Sequence, residues 1–109
     1  MTTTVHPRLN VTHEQIARFC EKWKITRLEL FGSVLRDDFD EESDIDVLVT
    51  FAEGAGTRLR ELLDLEEELQ ALLGRPVDLV KRRLVEQSQN WIRRSSILDS
   101  AEPIYAQAG

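Results

Sequence analysis

Residues 30–51 read LFGSVLRDDFDEESDIDVLVTF, and this stretch decides the fold. Its last part, Asp44–Phe51, is rich in β-branched residues and lacks Pro and Gly, which predicts a strand. Because side chains alternate between the two faces of a strand, Asp44 and Asp46 share one face and apolar residues share the other. The rise per residue of a strand places the two aspartate Cα atoms about 7 Å apart. Two carboxylates at that spacing can converge on one Mg²⁺ or bridge a pair of ions.

A Gly-Ser step precedes those aspartates by ten residues. Leu28–Phe31 reads as a strand, and Ser33–Arg36 reads as the first turn of a short helix. Gly32 allows the backbone to approach a ligand closely, and amide groups at a helix N-terminus favour phosphate oxygens. Ser33 adds a hydroxyl donor, and Arg36 adds a positive charge that can pair with phosphate. The segment therefore predicts a nucleotide-binding site at Gly32, Ser33 and Arg36.

A third acid, Asp78, lies in the short apolar run Val77–Val80, directly after the turn Gly74–Pro76. Aspartate is unfavourable in a strand, which suggests that position 78 serves something other than packing. Taken singly, a Gly-Ser step, an Asp-x-Asp strand and an isolated strand acid each have an ordinary structural explanation. Their occurrence together in this order along the chain has no such ordinary explanation. We therefore interpret the three acids as one catalytic set.

The spacing Gly32-Ser33, ten residues, Asp44-x-Asp46 resembles the signature of the polymerase-β-like nucleotidyltransferase superfamily. Within it, the strings LFGSVLRDDF and SDIDVLVTF resemble the minimal nucleotidyltransferase (MNT) domain, which includes antitoxins paired with HEPN toxins. The resemblance covers most of the chain. It implies that Gly32 and Ser33 hold a nucleoside triphosphate. It also implies that two Mg²⁺ ions are bound by the catalytic carboxylates, which are Asp44, Asp46 and Asp78.

The resemblance implies a Mg²⁺-dependent protein adenylyltransferase that moves AMP from ATP to a hydroxyl, expected to be that of a tyrosine, on a partner HEPN toxin. One alternative is a catalytically silent antitoxin that neutralises its partner by binding. A further alternative is a nucleotidyltransferase that acts on a small molecule or an RNA end. The complete carboxylate set favours an enzyme, because a pure binder has no chemical use for three converging acids. The expected lack of an acceptor-binding domain disfavours the third reading.

Length and composition agree with one minimal domain. The 109 residues suffice for one core, so we expect a single domain over residues 1–109 with a flexible arm at 1–10. The formal net charge of −6 makes direct nucleic-acid binding unfavourable, since such binding relies on Lys and Arg. Cys20 is the single cysteine, which excludes an intrachain disulfide and predicts a reduced core thiol. No signal peptide or membrane span is visible, and the expected location is the cytoplasm.

The expected fold class is α/β (α+β), a small mixed β-sheet of three to four strands with helices packed on it. A first helix starts at Thr12 with a capping box completed by Gln15. The other expected elements are strands near 27–31, 44–51 and 77–80, a helix that ends near Leu73, a last helix within 86–99, and a short strand at 103–105. Trp91 is expected to be half-buried. The basic stretches 81–83 and 93–94 are expected to be solvated, with contact to the nucleotide or a partner as the alternative.

Overall fold

The computed structural model describes residues 4–6, 9–32, 44–56 and 58–107. The predicted turn of helix at Ser33–Arg36 and the acidic segment 37–43 lie outside the described residues. The described elements, in chain order, are β1 (Thr4–His6), β2 (Leu9–Thr12), α1 (His13–Trp23), β3 (Ile25–Phe31), β4 (Ile45–Phe51), α2 (Leu59–Leu73), β5 (Val77–Lys81), α3 (Arg82–Glu86), α4 (Trp91–Ser100) and β6 (Glu102–Ala106).

Four of the strands form one mixed sheet in the order β5-β4-β3-β6. Strand β3 lies antiparallel to both β4 and β6, whereas β4 and β5 are parallel. Parallel neighbours need a long crossover connection, and α2 supplies it between β4 and β5. The predicted fold class, a small mixed sheet of three to four strands with helices packed on it, is confirmed.

One face of the sheet carries the main hydrophobic core. Ile45, Val47 and Val49 of β4 are buried there, as alternation in the predicted strand requires. Leu28 and Leu30 of β3 join the same core cluster. Helices α1 and α2 contribute buried side chains to this cluster, namely Ile16, Phe19, Cys20, Leu65, Leu69 and Leu73.

The ends of α1 and α2 follow the sequence signals closely. The Gln15 amide donates to the Thr12 hydroxyl at 3.1 Å, and the Thr12 amide donates to the Gln15 side chain at 2.9 Å. This reciprocal pair is the predicted capping box. Helix α2 ends at Gly74, which has a φ of +70° and donates its amide to the Gln70 carbonyl at 2.8 Å. Glycine adopts this left-handed conformation without strain, which makes it a frequent C-terminal cap.

One expectation for the chain ends is wrong. The flexible arm expected at residues 1–10 instead contains β1 and the start of β2, which pair antiparallel. Leu9 and Val11 are buried in the core cluster, so apolar burial holds this segment in place.

The last helix expected within 86–99 is α4, which runs over Trp91–Ser100. The Asn90 side chain caps its start by accepting from the Arg93 amide at 3.2 Å. The short helix α3 before it was not expected from the sequence.

In the part of the chain that the structure describes, no helix combines the length and apolarity that crossing a membrane requires.

Cys20 is buried in the core, and its chemistry should reflect that position. Burial, with a smaller contribution from Glu21, raises the pKa of the Cys20 thiol to about 12. Since the thiolate is the reactive form, we expect the native protein at pH 8 to resist alkylation by iodoacetamide. The same protein in concentrated urea should be labelled fully, as followed by intact mass. Rapid stoichiometric labelling of the native protein would show that Cys20 is accessible.

Candidate active site

The strand register brings two of the predicted carboxylates together. Asp46 of β4 lies opposite Asp78 of β5, and on the other side it lies opposite Phe31 of β3. Residues paired across neighbouring strands project from the same face, so the three side chains form a row across the sheet. This face is the reverse of the one that carries Ile45 and Val47. We call Asp44, Asp46 and Asp78 the carboxylate row, with Asp44 as its extension along the chain.

Asp44 lies directly before β4 and is exposed. The next residue anchors this entry to the neighbouring strand, because the Ile45 amide donates to the Pro76 carbonyl at 2.9 Å. Pro76 in turn immediately precedes β5. The carboxylate row therefore stands at the amino ends of two parallel strands, and one backbone contact ties these ends together.

Gly32 packs directly against the Asp46 carboxylate. A Cβ atom at position 32 would lie 2.1 Å from the Asp46 Oδ2 atom and 3.0 Å from its Cγ atom. Gly32 also has a φ of +76°, a conformation that side chains disfavour. The position thus requires glycine both for its backbone and for the approach to Asp46. The other two predicted nucleotide-binding residues, Ser33 and Arg36, lie outside the described residues.

The carboxylate row fits a hard cation in its chemistry. Carboxylate oxygens are the ligands that Mg²⁺ prefers, and the absence of a side chain at Gly32 makes room for the Asp46 carboxylate. As the side chains stand, the described segments contain no group of three or more His, Cys, Asp or Glu residues placed to hold a metal ion. Backbone register brings Asp46 and Asp78 into neighbouring positions, and Asp44 extends the row at the entry of β4.

A cavity of about 220 Å³ opens beside Asp78, and we call it the Asp78 cavity. The cavity is also lined by Phe31, which lies opposite Asp46, and by Ser88, Arg93 and Arg94. Arg94 donates to the Ser88 carbonyl at 3.2 Å, which holds the start of α4 against the loop after α3. The sequence favoured a solvated surface for 93–94. Arg93 is exposed, as expected, and Arg94 is half-buried, and both stand at the wall of the Asp78 cavity.

Glu29 was missed by the sequence reasoning, although it lies on the same face as the row. Its side chain is 1% exposed, and it forms ion pairs with Arg82 and, at 3.2 Å, with Arg27. The hydrogen bond to Glu29 is the main cause of the raised pKa of Arg82, and Glu86 adds to it. The signal was present, because an acid in the apolar run 28–31 is as unfavourable as Asp78 is in its own run.

Several large apolar side chains are exposed near the site. Trp91 is 64% exposed, so the expectation of a half-buried side chain is wrong. Helix α4 contacts the sheet through Ile97 and Leu98, which leaves its first turn outside the core. Leu59, Leu63, Leu84 and Ile92 are exposed as well. Exposed apolar groups that cluster in this way are typical of binding surfaces.

Comparison with known proteins identifies the family. The sequence pattern of the nucleotidyltransferase domain matches residues 13–104, and the chain belongs to that family. A protein of Methanocaldococcus jannaschii, provisionally named a protein adenylyltransferase, is 38% identical over 73 residues, which are 67% of this chain and 71% of that protein. The protein adenylyltransferase MntA of Thermococcus cleftensis is 42% identical over 62 residues, which are 57% of this chain and 61% of MntA.

Solved structures agree on the fold. A structure provisionally described as a minimal nucleotidyltransferase superposes with a TM-score of 0.64 at 34% identity, covering 84% of this chain and 87% of the other. A toxin–antitoxin structure with AMP-PNP has a TM-score of 0.65 at 22% identity, covering 87% and 73%. A tri-AMPylated Shewanella oneidensis HEPN toxin in complex with MNT antitoxin has a TM-score of 0.58 at 21% identity, covering 87% and 70%. The protein is a nucleotidyltransferase, and its fold is that of the minimal nucleotidyltransferases.

The contact between Gly32 and Asp46 can be tested with a matched pair of glycine variants. Gly32→Ala and Gly54→Ala both place a side chain at positive φ, +76° and +82°, but only position 54 has open space around it. We expect each variant to lose about 1–2 kcal/mol of unfolding free energy for the conformation, measured by urea denaturation. Only Gly32→Ala should also abolish nucleotidyl transfer, because its methyl group displaces the Asp46 carboxylate. Equal activity in the two variants would show that Gly32 serves only the turn.

Proposed function

We propose that this protein is an antitoxin enzyme, a single domain over residues 1–109, that transfers AMP from ATP to a hydroxyl, expected to be that of a tyrosine, of a HEPN-type toxin. The observation that carries the proposal is the carboxylate row, in which Asp46 lies opposite Asp78 and against Gly32. Two further facts support it. Relatives are named as protein adenylyltransferases, and a structure of the same fold contains an AMPylated HEPN toxin.

In this proposal, Asp44, Asp46 and Asp78 are the carboxylates that would hold two Mg²⁺ ions. When bound, Mg²⁺ supplies positive charge that offsets the negative charge of the reacting phosphates. Gly32 would hold the triphosphate together with Ser33 and Arg36. Its direct contact with the Asp46 carboxylate would keep the triphosphate beside the metal-binding acids, and a glycine lets the backbone approach a phosphate closely.

The reaction is an in-line displacement at the α-phosphorus of ATP. The acceptor hydroxyl oxygen forms a bond to this phosphorus while the bond to the oxygen bridging toward the β-phosphorus breaks. Diphosphate leaves, and the hydroxyl proton passes to the Asp78 carboxylate as general base. Asp78 suits this role because it is exposed at the start of β5 and lines a cavity that an acceptor side chain can enter. Arg93 and Arg94 add positive charge to the cavity wall, which favours an anionic substrate.

A protein acceptor is supported by the apolar surface next to the Asp78 cavity. Leu59, Leu63 and Leu84 line a groove of about 430 Å³ between α2, β5 and α3. The groove shares Val80 and Leu84 with the Asp78 cavity, so the two are continuous. A partner that covers these leucines would remove apolar surface from water and bring its own side chains beside Asp78. A small-molecule acceptor has no use for this surface.

Nucleotide binding should depend on Asp44 and Asp46. We expect MgATP to raise the melting temperature of the wild-type protein, since a ligand of the native state stabilises it by mass action. The Asp44→Asn/Asp46→Asn protein should lose most of this shift, because it lacks two of the three carboxylates that would hold the metal. Differential scanning fluorimetry with MgATP, and with ATP in EDTA as the control, measures both effects. An undiminished shift in the double variant would argue against the site.

Transfer itself should depend on Asp78. The protein is mixed with a HEPN-family protein, Mg²⁺ and ATP, and both chains are weighed by intact mass spectrometry. We expect the partner to gain one or more AMP units with wild type and none with Asp78→Asn, which keeps the shape of the side chain but cannot accept the proton. Asp78→Asn should retain much of the MgATP thermal shift. If the partner is neutralised without any mass change, even by the Asp variants, the binding-only alternative is correct.

A further inference from the structure

A second cavity lies at the opposite end of the same parallel strands. It has a volume of about 440 Å³ and is formed by the ends of β4 and β5 together with the turn 52–56 and the start of α3. We call it the basic cavity. Its lining has four cationic side chains and two acidic ones, although the whole chain has a net charge of −6. The cations are Arg27, Lys81, Arg82 and Arg83, and the acids are Glu53 and Glu86.

The basic cavity is separate from the carboxylate row. Thr50, which lines the cavity, is four residues beyond Asp46 on β4, a separation of about 13 Å at the rise of a strand. Lys81 is three residues beyond Asp78 on β5, which corresponds to about 10 Å. The row stands at the amino ends of the two strands and the cavity at their carboxyl ends, where ligands of open parallel sheets usually bind.

Two of the arginines, Arg27 and Arg82, form ion pairs with the buried carboxylate of Glu29. Arg82 donates from Nη1 to this acid, Arg27 Nε forms an ion pair with it at 3.2 Å, and Arg82 Nε also faces Glu86 at 3.4 Å. A guanidinium has five N–H donors, so these contacts orient both groups and leave donors for a ligand. Arg27 and Arg82 are balanced by Glu29 and Glu86, so the remaining positive charge of the lining comes from Lys81 and Arg83, offset in part by Glu53. Cations already held in place lose less conformational entropy when an anion binds.

The lining also contains a polar atom that lacks a partner. The Thr50 Oγ1 atom is buried and, among the described residues, makes no hydrogen bond. A buried hydroxyl without a partner is unfavourable, and because the Oγ1 atom is closed to solvent it is not a contact for a ligand in the cavity. The nearby wall is firmly packed, because a Cβ atom on Gly56 would lie 2.3 Å from the Phe51 ring. Lys81 Nζ lies 6.0 Å from the centroid of the same ring.

We propose that the basic cavity binds a phosphate group as a second ligand, distinct from the nucleotide at the carboxylate row. Phosphate suits the lining because a guanidinium group can donate two hydrogen bonds to phosphate oxygens. Its negative charge can also interact with several of the cations at once. The ligand is either the free ion or the phosphate end of a larger molecule, since the cavity has room for more than one phosphate group.

The test is isothermal titration of the whole protein with inorganic phosphate and, separately, with ribose 5-phosphate. EDTA and constant ionic strength remove metal-dependent binding at the carboxylate row and unspecific charge effects. We expect saturable binding of one equivalent to wild type. Lys81→Ala/Arg83→Ala should weaken it by about tenfold or more, in line with the loss of charge-assisted hydrogen bonds. Arg27 and Arg82 stay unchanged, because their loss would leave buried Glu29 unpaired.

Arg18→Ala is the matched control, since Arg18 is an exposed arginine on α1 that pairs with Glu14. It should bind phosphate as wild type does. Tight binding of inorganic phosphate identifies a free-ion site, and binding of ribose 5-phosphate alone identifies the phosphate end of a larger ligand. The proposal is overturned if wild type binds neither probe saturably, or if Lys81→Ala/Arg83→Ala binds as tightly as wild type. Neither ATP nor Mg²⁺ is present, so the result is independent of the proposed transfer reaction.

Discussion

The pairing of β4 with both of its neighbours is the constraint on which the site depends. With Asp46 opposite Asp78 and Phe31, the same register that places the acids together also buries Ile45 and Val47. A slip of one residue would turn every side chain of β4 to the other face. Each buried aliphatic side chain contributes about 1.5–3 kcal/mol, so such a slip is strongly disfavoured. Hydrophobic burial on one face therefore positions the chemistry on the other.

The two faces of the sheet have different roles. One face is apolar and closed by α1 and α2. The other bears the carboxylate row, the buried Glu29 and a smaller apolar cluster, in which Phe31, Leu48 and Val85 are buried. Removal of one partner from the Glu29 ion pairs would leave a buried charge uncompensated, which is far more costly than loss of an exposed ion pair. Arg82 thus joins α3 to β3 and helps to shape the cavities at both ends of this face.

The charges at the two ends of β4 and β5 are of opposite sign. Acids stand at the amino ends of β4 and β5, and cations gather at their carboxyl ends. The net charge of −6 conceals this separation. A cation and a phosphate can therefore be bound by one small sheet without competing for the same groups, because the two ends lie about 10 Å or more apart.

The sequence by itself determined the elements and the acids of the site. Period-two alternation placed β4, the capping box placed α1, and Gly74 ended α2, because each of these signals is local. Asp78 was recognised because an acid in a short apolar run is unfavourable. The whole set Asp44, Asp46 and Asp78 remains a prediction as a metal site, and the structure contributes only the juxtaposition of its members.

The tertiary structure decided what depends on residues distant in the chain. The direct contact of Gly32 with Asp46, the pairing of Glu29 with Arg82 and the exposure of Trp91 each arise from strand order and helix packing. A pattern in one segment cannot report which side chain from another segment will face it. For the same reason, the sequence alone did not place Arg93 and Arg94 beside Asp78, or gather the cations of the basic cavity around Thr50.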